Sequence, residues 1–220
     1  IAGEWSEHPA REAVLAAENS AAVIMIMGLN ALYEGEESDA YNGTDSGDKI
    51  DLELPAVQKR LYEEIKKTNK PIVFVNVTGS CVNLTRQNEE CGAVVQCFYP
   101  GAEGGRALAD ILFGNVCPSG RLPVTFYKSA DDLPAFEDYG MENRTYRYFK
   151  GEPLYKFGHG LSYTKFEIEN AGGRTRVKNI GDYDGATVVT RYENGRLAGF
   201  RRVFLKKGEE KIMDELFDTV

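Results

Sequence analysis

The sequence predicts an α/β layer with a mostly parallel sheet, followed by a small β domain. Three features carry this. Through residue 127, short apolar runs alternate with stretches of helical period. The apolar runs are continuous rather than alternating, as expected of parallel strands covered on both faces. Past residue 165 the runs shorten and alternate, and Gly181-Asp182, Asp184-Gly185 and Asn194-Gly195 supply hairpin turn signals between them.

In chain order, residues 9–20 carry Ala13, Val14, Ala16 and Ala17 on one helical face, and residues 21–27 form a buried strand. A long polar loop then runs to about Leu52. Pro55 opens a helix reaching about residue 68, with Val57, Leu61 and Ile65 at helical spacing; proline suits a first turn. Residues 71–77 are β-branched and read as a second strand. Residues 78–92 form a loop or short helix, and residues 93–99 a third strand. A helix over 104–113 ends at Gly114 and Pro118, and residues 124–127 make a short fourth strand. From 128 to 164 prolines, glycines and aromatics indicate an extended segment. Strand runs follow at 175–178, 187–192 and 201–205. The expected organisation is therefore 1–127, 128–164 and 165–220.

Composition narrows the function. The 220 residues include 26 basic and 34 acidic ones, a formal net charge of −8. That balance argues against nucleic acid or an anionic membrane as the main partner. No apolar run approaches the ~20 residues of a membrane helix. Cys81, Cys91, Cys97 and Cys117 form no C-x-x-C pair, and with two histidines a metal site is not expected. No phosphate-cradling glycine motif occurs around Gly101, Gly104 and Gly105; those glycines, with Glu103 and Arg106, read as close helix packing. His159 reads as a packing residue rather than a base. The chain opens on Ile1 without a leader pattern, so a processed or excised piece of something longer is expected.

The candidate site is the loop after the first strand. It places Glu34, Glu36, Glu37 and Asp39 within six residues. Crowded carboxyls repel when ionised, so one can keep its proton and act as a general acid; the plain alternative is a solvated acidic loop. Right-handed crossovers put this loop, Thr78-Gly79-Ser80 and Tyr99-Pro100-Gly101 on one edge of the sheet, where open α/β sheets place ligands.

Several phrases resemble the C-terminal part of glycoside hydrolase family 3. They are residues 99–105, residues 113–125, Arg144-Thr145-Tyr146-Arg147-Tyr148, and Pro153-Leu154-Tyr155-Lys156-Phe157-Gly158-His159-Gly160-Leu161-Ser162-Tyr163. Glu34-Gly35-Glu36-Glu37 and Asp51-Leu52-Glu53-Leu54-Pro55 look most like its β-xylosidase branch, with β-glucosidases close by. The resemblance implies a three-layer α/β sandwich and a shortened fibronectin type III-like tail over 165–220. It implies an N-terminal β/α barrel, absent here, that carries an aspartate nucleophile, and a general acid/base at Glu34 with Glu36 as the alternate. It further implies a β-linked xylo- or gluco-oligosaccharide substrate, no cofactor, and secretion or a periplasmic location. Gly47-Asp48-Lys49 departs from the family's Gly-Asp-Arg, and lysine lacks the planar fork of arginine. Without a barrel the chain is expected to be inactive alone. The rival reading is a non-catalytic module that binds carbohydrate or a partner domain.

Overall fold

The computed structural model describes residues 7–34, 51–135, 137–171, 173–214 and 218–219, which fall into two compact units. Unit one contains residues up to 104, with 126–133 and 152–154. Its sheet is parallel, in the order β1 (Val23–Gly28), β2 (Ile72–Val77), β3 (Ala93–Gln96). Helices α1 (Glu7–Glu18), α2 (Ala56–Lys66) and α3 (Thr85–Glu90) belong with it. Of the α2 stripe expected at Val57, Leu61 and Ile65, Ile65 is buried, Leu61 is half-buried and Val57 is 39% exposed; Tyr62 is buried instead, its ring meeting Phe74 of β2 edge-on at 6.0 Å.

The central strand matches the expectation of burial on both faces, since Phe74, Val75 and Asn76 are fully enclosed. The first strand does not. At β1, Met25 and Met27 are buried, but Ile24 and Ile26 are 48% and 61% exposed, so only one face of this edge strand is covered by the described residues. Two further expectations are corrected. The third strand stops at Gln96, because Phe98 adopts a left-handed backbone (φ 51°) that turns the chain out of the ladder. The fourth strand reduces to a single bridge at Phe126.

Unit two contains residues 105–125, 134–151 and 155 onward. Helix α4 (Gly104–Leu112) lies in it from residue 105, as does the short helix α5 (Thr145–Tyr148). Its strands form two three-stranded antiparallel sheets. One orders β4 (Phe166–Ala171), β5 (Arg174–Asn179) and β8 (Glu210–Asp214); the other orders β6 (Gly185–Glu193), β7 (Arg196–Leu205) and β9 (Asp218–Thr219). Val177 and Met213 from one sheet, and Val189, Val203 and Leu205 from the other, form one buried cluster, the core of a β-sandwich. Outside that core, Arg176 of β5 pairs with Glu167 and Glu169 of β4 and Glu210 of β8, at 3.4, 2.8 and 2.9 Å.

Asn179 shows how a buried polar group is tolerated there. Its carbonyl accepts from the Thr164 hydroxyl at 2.7 Å and the Gly181 N–H at 3.2 Å. Its amide donates to the carbonyls of Tyr183 and Leu205, at 2.8 and 3.2 Å. Every hydrogen-bonding position of the side chain is used. Replacing Asn179 by Leu strands these partners, each costing ~1–3 kcal/mol when buried. We expect Asn179→Leu to lower stability by at least ~2 kcal/mol and Phe204→Ser, at a 56% exposed position, to change it by no more than ~0.5 kcal/mol. Urea midpoints at constant slope measure both.

Candidate active site

The site forms where the strands of unit one end. At β1, Gly28 is required sterically: a Cβ there would lie 1.9 Å from the carbonyl oxygen of Val77. Its free edge is satisfied by a side chain, since the Gln58 amide accepts from the Gly28 N–H at 3.0 Å and donates to the Gly28 carbonyl at 2.7 Å. The chain then makes a single turn. The Asn30 side chain accepts from the N–H groups of Leu32 and Tyr33, at 3.0 and 3.2 Å. The Asn30 carbonyl accepts from the Glu34 N–H at 3.0 Å. This asparagine-capped turn aims Glu34 at the ends of β2 and β3.

Four donors converge on the Glu34 carboxyl. Oε1 accepts from the Ser80 N–H at 2.9 Å and from the Ser80 hydroxyl. Oε2 accepts from the Gly79 N–H at 2.8 Å and from the Tyr99 phenol. The three loops expected to share an edge are thus tied together by one side chain. Gly79 is glycine for room, since a Cβ would stand 2.8 Å from the Tyr99 ring and 3.1 Å from Glu34 Oε2.

Beneath this clasp lies a second polar layer. The buried Asn76 amide donates to Thr78 Oγ1 at 2.9 Å and to Gln96 Oε1 at 2.6 Å. The Gln96 amide donates to the Thr78 carbonyl at 3.0 Å, and the Thr78 hydroxyl to the Ser80 carbonyl at 2.9 Å. Ser80 is therefore held from below by Thr78 while it donates upward to Glu34. Sequence reading missed Asn76 and Gln96; a polar residue inside each of two apolar strand runs is the signal that could have found them.

The electrostatics follow from the donors. Burial of the Glu34 carboxyl pushes its pKa up, but the Ser80 hydroxyl, the Tyr99 phenol and the two backbone N–H groups outweigh this and hold it below the ordinary carboxylate range. Burial, together with the hydrogen bond to the Glu34 anion and its charge, pushes Tyr99 up to about 12. Glu36, Glu37, Asp39 and the Gly47-Asp48-Lys49 segment lie outside the described residues.

Other residues singled out from sequence have structural surroundings. His159 stacks on Tyr155 at 4.8 Å, and burial and the nearby Arg121 lower its pKa. At Gly104 a Cβ would meet the Pro100 ring at 2.3 Å, which accounts for that glycine by packing. The four cysteines are free and half-buried. Among the described residues, no group of three or more His, Cys, Asp or Glu could hold a metal ion, and no helix is long and apolar enough to cross a membrane.

A parallel α/β unit with a carboxyl-bearing turn at its strand ends is followed in the chain by a unit of two antiparallel sheets. The family described as "Glycosyl hydrolase family 3 C-terminal domain" matches residues 6–163. The chain belongs to that family, as its sequence phrases suggested. It is 39% identical over 208 residues to a xylan 1,4-β-xylosidase of Xylanibacter ruminicola, covering 85% of this chain and 24% of that protein. A β-glucosidase of Bacteroides ovatus is 33% identical, over 91% of this chain and 31% of its own length. Among solved structures, the glucose complex of a Kluyveromyces marxianus β-glucosidase superposes with a TM-score of 0.78 at 29% identity, covering 97% of this chain and 28% of that one. A Bifidobacterium adolescentis β-glucosidase gives 0.78 at 28% identity, over 98% and 36%. The chain thus spans roughly a quarter to a third of the proteins it matches.

The clasp makes a pH prediction. Glu34 has a depressed folded pKa, so its stabilisation is present above the unfolded value of ~4.3 and is lost as pH falls through the folded one. Tyr99 has a raised pKa, so its part is complete below the unfolded value of ~10 and is lost as pH rises toward about 12. In Glu34→Gln the anion is gone, and ultraviolet titration should show one tyrosine ionising at lower pH than in the parent chain.

Proposed function

We propose that this chain is the C-terminal segment of a retaining, exo-acting β-glycosidase of the xylosidase or glucosidase type. In this reading the acidic loop after β1 supplies the general acid/base to a barrel domain that carries an aspartate nucleophile. The family membership and the named relatives support a glycosidase. A retaining mechanism needs two carboxyls ~5–5.5 Å apart, one ionised to attack and one protonated to release the leaving oxygen. A long loop at the strand ends suits a carboxyl that serves a partner domain.

The observation that carries the assignment within the loop is the filled donor set at Glu34. Sequence reading put Glu34 first and Glu36 second. All four acceptor positions of the Glu34 carboxylate are occupied, which favours the anion and leaves no lone pair for a catalytic proton. This supports giving proton transfer to Glu36, two residues further along, and giving Glu34 the task of anchoring the loop. The fibronectin type III-like reading of the tail is part of the same proposal, supported by its two antiparallel sheets around one core.

The test uses the longer enzyme that joins this segment to its barrel. Glu36→Gln should slow hydrolysis of substrates with poor leaving groups by ~10²–10⁴-fold and affect activated aryl glycosides far less. Glu34→Gln should slow both kinds to a similar degree. If Glu34→Gln shows the leaving-group dependence and Glu36→Gln does not, the acid is Glu34.

A further inference from the structure

Unit two carries a polar cleft, about 520 Å³ in volume, which the reading above does not use. It is lined by Arg147 of α5 and by Arg191, Glu193, Asn194, Arg196 and Leu197 of the β6–β7 hairpin, with Ala198. That volume is in the range of small-ligand sites, ~300–1,000 Å³. Three guanidiniums face one carboxylate in a chain whose net charge is −8.

The cleft is a built feature. Asn194 and Gly195 both take positive φ, 49° and 74°, which closes the hairpin in a tight turn and brings Arg191, Glu193 and Arg196 to its tip. A register shift between Arg191 and Tyr192 bends the same tip. The hairpin is held by Tyr146, whose hydroxyl accepts from the Leu197 N–H at 3.0 Å while its ring stacks on Phe157 at 4.5 Å and meets Tyr192 at 6.2 Å. The Arg147 guanidinium lies 5.1 Å over the Tyr148 ring, a cation–π contact. Arg191 pairs with Glu193 at 3.3 Å. Arg147 and Arg196 are exposed.

Two chemistries meet there. Guanidinium forks match planar carboxylates in bidentate fashion. Beside them, outside the lining itself, Tyr146, Tyr148 and Tyr192 are 37%, 39% and 44% exposed, each an apolar ring with a polar tip. A pyranose ring presents C–H faces to an aromatic ring, and a uronic acid adds a carboxylate at its rim. We infer that this cleft binds an acidic saccharide, a sugar unit bearing a carboxylate, through Arg147 and Arg196 with the tyrosines beside them. The anionic half of the inference stands on the guanidiniums alone; the saccharide half rests on the glycosidase reading.

Titration calorimetry on the full chain at low salt tests it, with three probes: a glucuronate-bearing xylo-oligosaccharide, the same oligosaccharide without the acid, and inorganic sulfate. The acidic sugar should bind at least tenfold more tightly than the neutral one, and the double variant R147Q/R196Q should abolish that preference while its circular dichroism is unchanged. Equal affinity for acidic and neutral sugars overturns the inference, as does an unchanged preference in the variant. Sulfate binding as tight as that of the acidic sugar overturns it too, reducing the cleft to a general anion patch. Because the parent-chain comparison needs neither variant nor turnover, its failure leaves the acid/base assignment untouched, and failure of that assignment leaves this binding measurable.

Discussion

A carboxylate with every acceptor position filled holds the strand ends of the α/β unit together. Glu34 draws its four donors from Gly79, Ser80 and Tyr99, on two loops that lie 45 to 65 residues further along the chain. Each supporting feature serves that meeting. Gln58 satisfies the exposed end of β1, Asn30 sets the turn that follows, and Gly79 leaves room for the Tyr99 ring. The Asn76, Thr78 and Gln96 layer holds Ser80 from below. An anion held this way is a fixed point where the polar loop begins.

The second unit achieves rigidity differently. Its core is a small apolar cluster shared by two sheets, and the enclosed amide of Asn179 is saturated with partners. Buried polar groups that are fully satisfied specify a single packing, because any other arrangement leaves them unpaired. The hairpin tip of β6 and β7 is fixed by Tyr146 from a different stretch of the chain, so the arginines around it occupy defined places.

Much of this was readable in the residues. The alternation of apolar runs with helical stretches identified β1, β2 and α2, and the crossover rule placed three loops on one edge, where Glu34 joins them. The family was readable from phrases such as the one over 153–163, and the family comparison agrees. Most of what escaped did so for physical reasons. Strand β4 was passed over although Phe166 and Ile168 alternate with Glu167 and Glu169, whereas β8 shows no alternation because its apolar residues, Ile212 and Met213, are adjacent. The end of β3 depends on the backbone of Phe98, an unusual choice for a left-handed residue. The proposed division of labour between Glu34 and Glu36 could not be read from the loop, because the donors to Glu34 that support it lie far away in sequence. The arginine cleft escaped for the same reason, with Arg147 and Arg196 on separate elements.

The ion cluster on the β4–β5–β8 sheet has one more consequence. β4 lies at the border of its sheet, where unpaired backbone groups could recruit a foreign strand. Glu167 and Glu169 sit on that border strand, neutralised within the fold by Arg176 from the strand beside it. A second copy meeting it edge to edge would bring the same glutamates, and each copy has one arginine, Arg176, shared among three of them. The pairs that secure the sheet internally thus also place charge on its border strand, a common way for an exposed edge to disfavour pairing with another.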